Sequence, residues 1–160
     1  MKRFKAVFWI VVGAALGLGG VYWGAEGVRS ILADQALWRS GTPAPRVQVG
    51  GRARTDRFIL KTYELDVQFQ DVQGARHAGK EEFVTLFSSA DQRDPELHYD
   101  PADPRRFVLS WAVDVVGGRW MAALLFLVMG PVILLGAVLI ARGHWAQARA
   151  AAVPPAAPSG

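Results

Sequence analysis

The chain contains no cysteine, which excludes disulfides, thiolate zinc sites and cysteine nucleophiles. It has no G-x-x-x-x-G-K-[ST] phosphate loop, and Ser88-Ser89 lacks the glycines of a nucleophile elbow, so nucleotide hydrolysis and serine acyl transfer are without their parts. No internal repeat is present. Charge is scarce too. Only 20% of the 160 residues are charged against 51% hydrophobic, too apolar a balance for an ordinary water-soluble domain of this length.

The charges are missing from two places. Residues 6–25, AVFWIVVGAALGLGGVYWGA, and residues 120–141, WMAALLFLVMGPVILLGAVLIA, hold no Asp, Glu, Lys, Arg or His. As helices they extend about 30 and 33 Å, the thickness of a bilayer's hydrocarbon. Lys2, Arg3 and Lys5 precede the first run, as in a secretory signal. The run is long for a signal, however, and bulky Tyr22 and Trp23 stand where cleavage would want small residues, so an uncleaved signal anchor is expected. Gly13 and Gly17 form a GxxxG spacing that suits close packing, either on the second helix or on a partner. Gly130-Pro131 near the middle of the second run predicts a kink. Tyr22, Trp23, Trp111, Trp120 and Trp145 are candidate interfacial anchors.

Basic residues flank both runs at their outer ends, with Arg142 and Arg149 on the C-terminal side. The positive-inside rule therefore puts both termini in the cytoplasm. The segment between the runs holds 13 of the 18 basic residues, but loops beyond roughly sixty residues cross largely regardless of charge, so an external, periplasmic domain of an inner-membrane protein is expected. Those arginines are mixed with acids and accompany no nucleic-acid motif, which makes a nucleic-acid partner unexpected. Attraction to anionic lipid headgroups is the simpler consequence.

Between the runs the pattern changes from helical to period two. Tyr63, Leu65, Val67 and Phe69 alternate with Glu64, Asp66 and Gln68, which predicts a strand with one buried and one wet face. Val47 and Val49 begin an earlier strand in which Gly50-Gly51 predicts a bulge or a bend. Residues 71–75 with Gly74 predict a hairpin loop, the return strand starting near Arg76 and running on through an apolar stretch at 83–87. A short strand at 96–99 is expected to stop at the Asp100-Pro101-Ala102-Asp103-Pro104 turn. Phe107, Leu109, Trp111 and Val113 predict a last strand or amphipathic segment.

The expected fold class is thus a membrane α+β protein, two transmembrane helices flanking a small antiparallel β-sheet or barrel-like domain. Its divisions are a signal-anchor helix at 1–25, a linker at 26–45, the β domain at 46–116, the second transmembrane helix at 117–141 and a disordered Ala- and Pro-rich tail at 142–160.

No catalytic, cofactor-binding or metal-binding residue is assigned. His98, Asp100 and Asp103 are close in sequence, but their spacing matches no metal motif and Asp-Pro pairs are ordinary turn formers. His77 and His144 are expected in solvent. Glu81 and Glu82 with Asp66 or Asp71 would make an acid and base pair only on one face; adjacent strand residues point to opposite faces, so a solvated edge is expected.

The order of span, β-rich insert and span resembles the membrane family called domain of unknown function 3592. The resemblance is carried by Tyr63-x-Leu65-x-Val67-x-Phe69, the Gly74 turn and Leu97-His98-Tyr99-Asp100-Pro101-Ala102-Asp103-Pro104, which is similar to that family's V-x-Y-x-P-x-N/D-P segment before its second span. It implies the architecture and no activity. The function expected is a non-catalytic membrane protein whose β domain binds a protein partner or assembles with copies of itself. The alternatives are a subunit of an oligomeric channel or transporter, though neither span carries an ionisable side chain, and a membrane-bound hydrolase using His98 and Asp103.

Overall fold

A computed structural model describes residues 2–55, 59–88 and 94–152. In chain order the elements are α1 (Lys2–Ser40), β1 (Thr42–Pro43), β2 (Arg46–Thr55), β3 (Leu60–Gln70), β4 (Arg76–Leu86), β5 (Leu97–Asp100), β6 (Asp103–Leu109), α2 (Ser110–Asp114) and α3 (Val116–Ala152). Two long apolar helices thus flank a small antiparallel β region. Two compact units form: Gly24–Leu125, and the helix segments before Gly24 and after Leu125.

In the helix-pair unit the glycines do the work that their lack of a side chain allows. A Cβ on Gly13 would stand 3.1 Å from the Ala137 Cβ, one on Gly20 3.1 Å from the Gly130 Cα, and one on Gly17 would overlap Leu134. Such small residues let two backbones approach closely. The GxxxG face expected to meet either the second helix or a partner therefore meets α3 of its own chain. Away from this seam both helices are apolar and open, Leu18 being 62% and Val128 61% exposed. Pro131 lies inside α3 without ending it. That helix also continues through Ala152, beyond the start at 142 expected for a disordered tail; residues 153–160 lie outside the described residues.

The other unit begins with the rest of α1. Within the segment from 26 to 45, α1 stays helical to Ser40, and Leu37 and Trp38 pack on the β core. The strands make two three-stranded sheets, ordered β1-β5-β6 and β2-β3-β4, all pairs antiparallel. Neither closes into a barrel. Tyr63, Leu65, Val67 and Phe69 of β3 are buried as their alternation requires, and they share one apolar core with Phe83, Leu97, Tyr99, Val108 and Leu109. Each sheet thereby covers the apolar face of the other.

Three expectations are decided here. β2 pairs with β3 continuously through Gly50↔Asp66 and Gly51↔Leu65, so the glycines make no bulge. The period-two pattern at 107–113 is not one strand: β6 ends at Leu109 and Ser110–Asp114 turns into a helix. Trp111, expected as an interfacial anchor, is only 6% exposed and belongs to the core. Its four-residue spacing to Val115 serves a helical turn as well as its two-residue spacing to Leu109 served a strand.

Candidate functional site

Cross-strand partners lie on the same face of a sheet, so the register Tyr63↔Phe83, Leu65↔Glu81, Val67↔Gly79 and Phe69↔His77 fixes what β4 turns inward. That inner row reads His77, Gly79, Glu81, Phe83 and Thr85. Opposite Tyr63, Leu65, Val67 and Phe69 of β3 it places two ionisable groups, Glu81 and His77, and each has a partner.

At Gly79 a Cβ would collide with the Phe107 ring, so the glycine lets β6 approach. Next along the row, the Leu109 N–H donates to Glu81 Oε2 at 3.1 Å, with Oε1 at 3.4 Å. Leu109 is the last residue of β6, and the carboxyl group takes up its backbone donor. Beyond Glu81 lies Arg119, the last residue before the second apolar run. Its side chain is 6% exposed and donates to Asp34 of α1 at 2.5 Å, to Ser30 Oγ at 3.2 Å and to the Ala112 carbonyl at 3.2 Å. The guanidinium also stands 5.4 Å from the Phe83 ring centroid, a cation-π arrangement. One cation thus gathers α1, α2, α3 and β4.

The cluster holds one guanidinium and two carboxyl groups. Asp34 balances Arg119, and a second negative charge in this partly dry setting would have none left to balance it. Burial, and next the Asp34 carboxylate, push the Glu81 carboxyl up to about 8, against the weaker pull of the Leu109 amide and Arg119. Glu81 accordingly carries its proton at neutral pH. Sequence reasoning placed Glu81 on a solvated edge. Its opposition to Glu82 holds, Glu82 being exposed, but the register gives Glu81 the inner face. Arg119 and Asp34 were not singled out, and the signal available was slight: an arginine between Gly118 and Trp120, and a lone acid in a helix.

The second inner group is His77. Its Nε2 lies 2.9 Å from Asp71 Oδ2, while Asp71 Oδ1 accepts from the Gln73 and Ala75 amides at 2.9 Å each. The His77 bond foremost, with those two amides, holds the Asp71 carboxyl below its ordinary value. The β3–β4 turn also has Gly74 at φ +88°, a conformation that suits glycine, and the Val72 N–H donates to the Tyr99 hydroxyl at 3.2 Å. His77 is therefore part of a turn clip, not a freely solvated side chain. An Asp-His pair also orients the base of a catalytic triad; here Asp71 is engaged by the turn and the His77 ring faces Phe69, with centroids 5.2 Å apart.

The remaining sequence candidates are dispersed. His98 stacks on Trp38 with centroids 4.2 Å apart. Asp100 accepts from the Ala102 N–H at 2.9 Å and pairs with Arg106 at 3.5 Å. Asp103 accepts from the Arg105 N–H at 3.2 Å. Both aspartates act as turn formers, and among the described residues no three His, Asp or Glu side chains converge as a metal site would require. Ser88 Oγ donates to the Leu86 carbonyl at 3.2 Å; Ser89 lies outside the described residues. Asp66 pairs with Lys80 at 3.8 Å on the wet face, and His144 is exposed. The arrangement neutralises charge and clamps elements together.

Comparison of the chain with protein-family models, with curated proteins and with solved structures gives no match. The functional reading rests on the residues themselves.

Proposed function

We propose that this chain is a non-catalytic integral membrane protein of the inner membrane, with α1 and α3 crossing the bilayer and the β unit mediating protein interaction or assembly beside it. The observation that carries the reading is the open apolar surface of the two helices. Only 11% of the most apolar window of α1 and 17% of that of α3 are buried, whereas the core helix of a water-soluble protein is mostly buried. So large an apolar surface is costly in water and at home in hydrocarbon. The basic flanks favour cytoplasmic termini and an external β unit. The Tyr99-x-Pro101 segment and its resemblance to domain of unknown function 3592 agree with this architecture.

The assembly part of the proposal is supported by the site. Glu81, Arg119 and Asp34 are bound to one another or to backbone groups within the chain, an arrangement suited to holding a surface in shape rather than turning over a substrate. Membranes from expressing cells test both parts. After washing with alkaline carbonate the chain should stay in the pellet and dissolve only in detergent; cross-linking before extraction should then give one or more discrete larger species. Release by carbonate refutes the membrane part, and a lone monomer under every cross-linking condition refutes the assembly part.

A further inference from the structure

Phe87 follows directly on β4 with φ +58°, in the left-handed region that a bulky L-residue rarely adopts. Its amide donates to the Ile59 carbonyl at 2.9 Å, which ties the two residues together. What the conformation achieves is to turn a phenylalanine ring into open space: Phe87 is 71% exposed and Ile59 beside it 47%. An aromatic held outward in a strained backbone calls for an occupant of that space.

The neighbourhood says which. Gly118 of α3 lies so close to this chain end that a Cβ there would be 2.6 Å from the Leu86 carbonyl and 2.5 Å from Ser88 Oγ, the two residues flanking Phe87. Three residues on, Met121 opens the exposed apolar surface of α3, followed by Leu124 and Leu125; at 1.5 Å per residue the first is only about 5 Å further along the helix axis. Gly27 of α1 packs on Ala123, and its neighbours Glu26 and Arg29 are exposed. Charged and large apolar side chains exposed at one level are the signature of the headgroup layer, where rings sit with their polar neighbours in water.

We infer that Phe87 and Ile59 form a membrane-interface anchor, a second attachment by which this end of the β2-β3-β4 sheet rests in the lipid headgroup layer beside the helices. The inference rests on the reading of α3 as a membrane span. The opposite end of the same hairpin supplies a control, since Val72 is exposed too but lies about 35 Å away along an eleven-residue strand.

The absence of cysteine makes the test direct. Full-length F87C, I59C, V72C and L125C variants are spin-labelled, reconstituted in vesicles of phosphatidylcholine with phosphatidylglycerol, and probed for collision with oxygen, which concentrates in lipid, and with a water-soluble nickel chelate. The label at 125 should read as lipid, and those at 59 and 87 should show an oxygen-to-nickel ratio about threefold or more above that at 72, as expected of a group at the acyl boundary. Equal ratios at 87, 59 and 72 overturn the anchor while leaving the span intact. Labels at 87 and 59 shielded from both reagents overturn it as well, because protein then covers them. A water-like label at 125 instead refutes the membrane span, and the anchor falls with it.

Discussion

Arg119 draws α1, α2, α3 and β4 together. Replacing it by methionine keeps much of the stem's volume but leaves Asp34 charged, partly buried and without its partner, together with the Ala112 carbonyl and Ser30 hydroxyl that it satisfies. Breaking a buried pair from one side costs about 3 kcal/mol or more, so R119M is expected to lower the detergent-solubilised protein's melting temperature markedly. A double variant that also removes the Asp34 charge, R119M/D34L, should recover part of the loss, since no unpaired charge then remains; a thermal melt of the two variants side by side checks this.

Glu81 makes stability depend on pH in a direction that its ionisation fixes. Its carboxyl holds a proton up to about pH 8 in the folded chain, against an ordinary glutamate value near 4.5. Between those two values the folded state binds more protons than the unfolded one, so stability falls as pH rises through this window and the contribution is lost above about 8. Glu81→Gln keeps an oxygen for the Leu109 amide and cannot ionise. Denaturation midpoints from pH 5 to 9 should decline less steeply in E81Q than in the parent, with E81Q the more stable at the alkaline end. Asp71 acts oppositely and in another window: its lowered value gives stability above the ordinary aspartate range that disappears as pH falls through the lowered value. E81Q should therefore keep the parent's acid limb.

At the scale of elements, the α1–α3 seam depends on residues too small to obstruct it. A Gly13 Cβ would lie 3.1 Å from that of Ala137, slightly inside the roughly 3.5–4.5 Å Cβ separation of a disulfide, so a separation of a few tenths of an ångström brings the pair into range. In a chain otherwise without cysteine, G13C/A137C should oxidise to a cross-link within one molecule, seen on non-reducing gels as a faster monomer band. A dimer band in its place would mean that the glycine face serves a second copy, as the channel alternative requires. The strands give a further lesson. β3 was legible because its alternation runs through seven residues with a polar residue at every second place, and only one face can be buried. The inner face of β4 was not, because Glu81 and His77 are polar, and a residue's own polarity does not reveal that a partner across the core will satisfy it. The same blindness sent Trp111 to the membrane interface: its pattern fits a strand, a helix or a bilayer edge, and only packing chooses among them.

For the whole molecule, the topology proposed makes one side of the membrane testable. A V72C variant carries its thiol at the exposed hairpin turn, and a W145C variant carries one on the C-terminal part of α3, where Trp145 is exposed. In intact cells with a permeabilised outer membrane, a membrane-impermeant maleimide should label the first and label the second only after the inner membrane is broken. The reverse order would invert the topology.

The amino-acid sequence by itself determined where the chain avoids water: two charge-free runs and a strand of strict alternation follow from composition and period, which need no knowledge of neighbours. Tertiary structure alone decided how the rest is used. It turned the GxxxG glycines inward onto α3, extended α1 through Ser40 into the β core, divided the described strands between two sheets rather than a barrel, and brought Asp34, Glu81 and Arg119 together from positions far apart in the chain. The physical reason is one of range. Hydrophobic period is a local property, readable along a few turns or a single strand, whereas the pairing of charges and the closeness of two backbones exist only once distant segments have met.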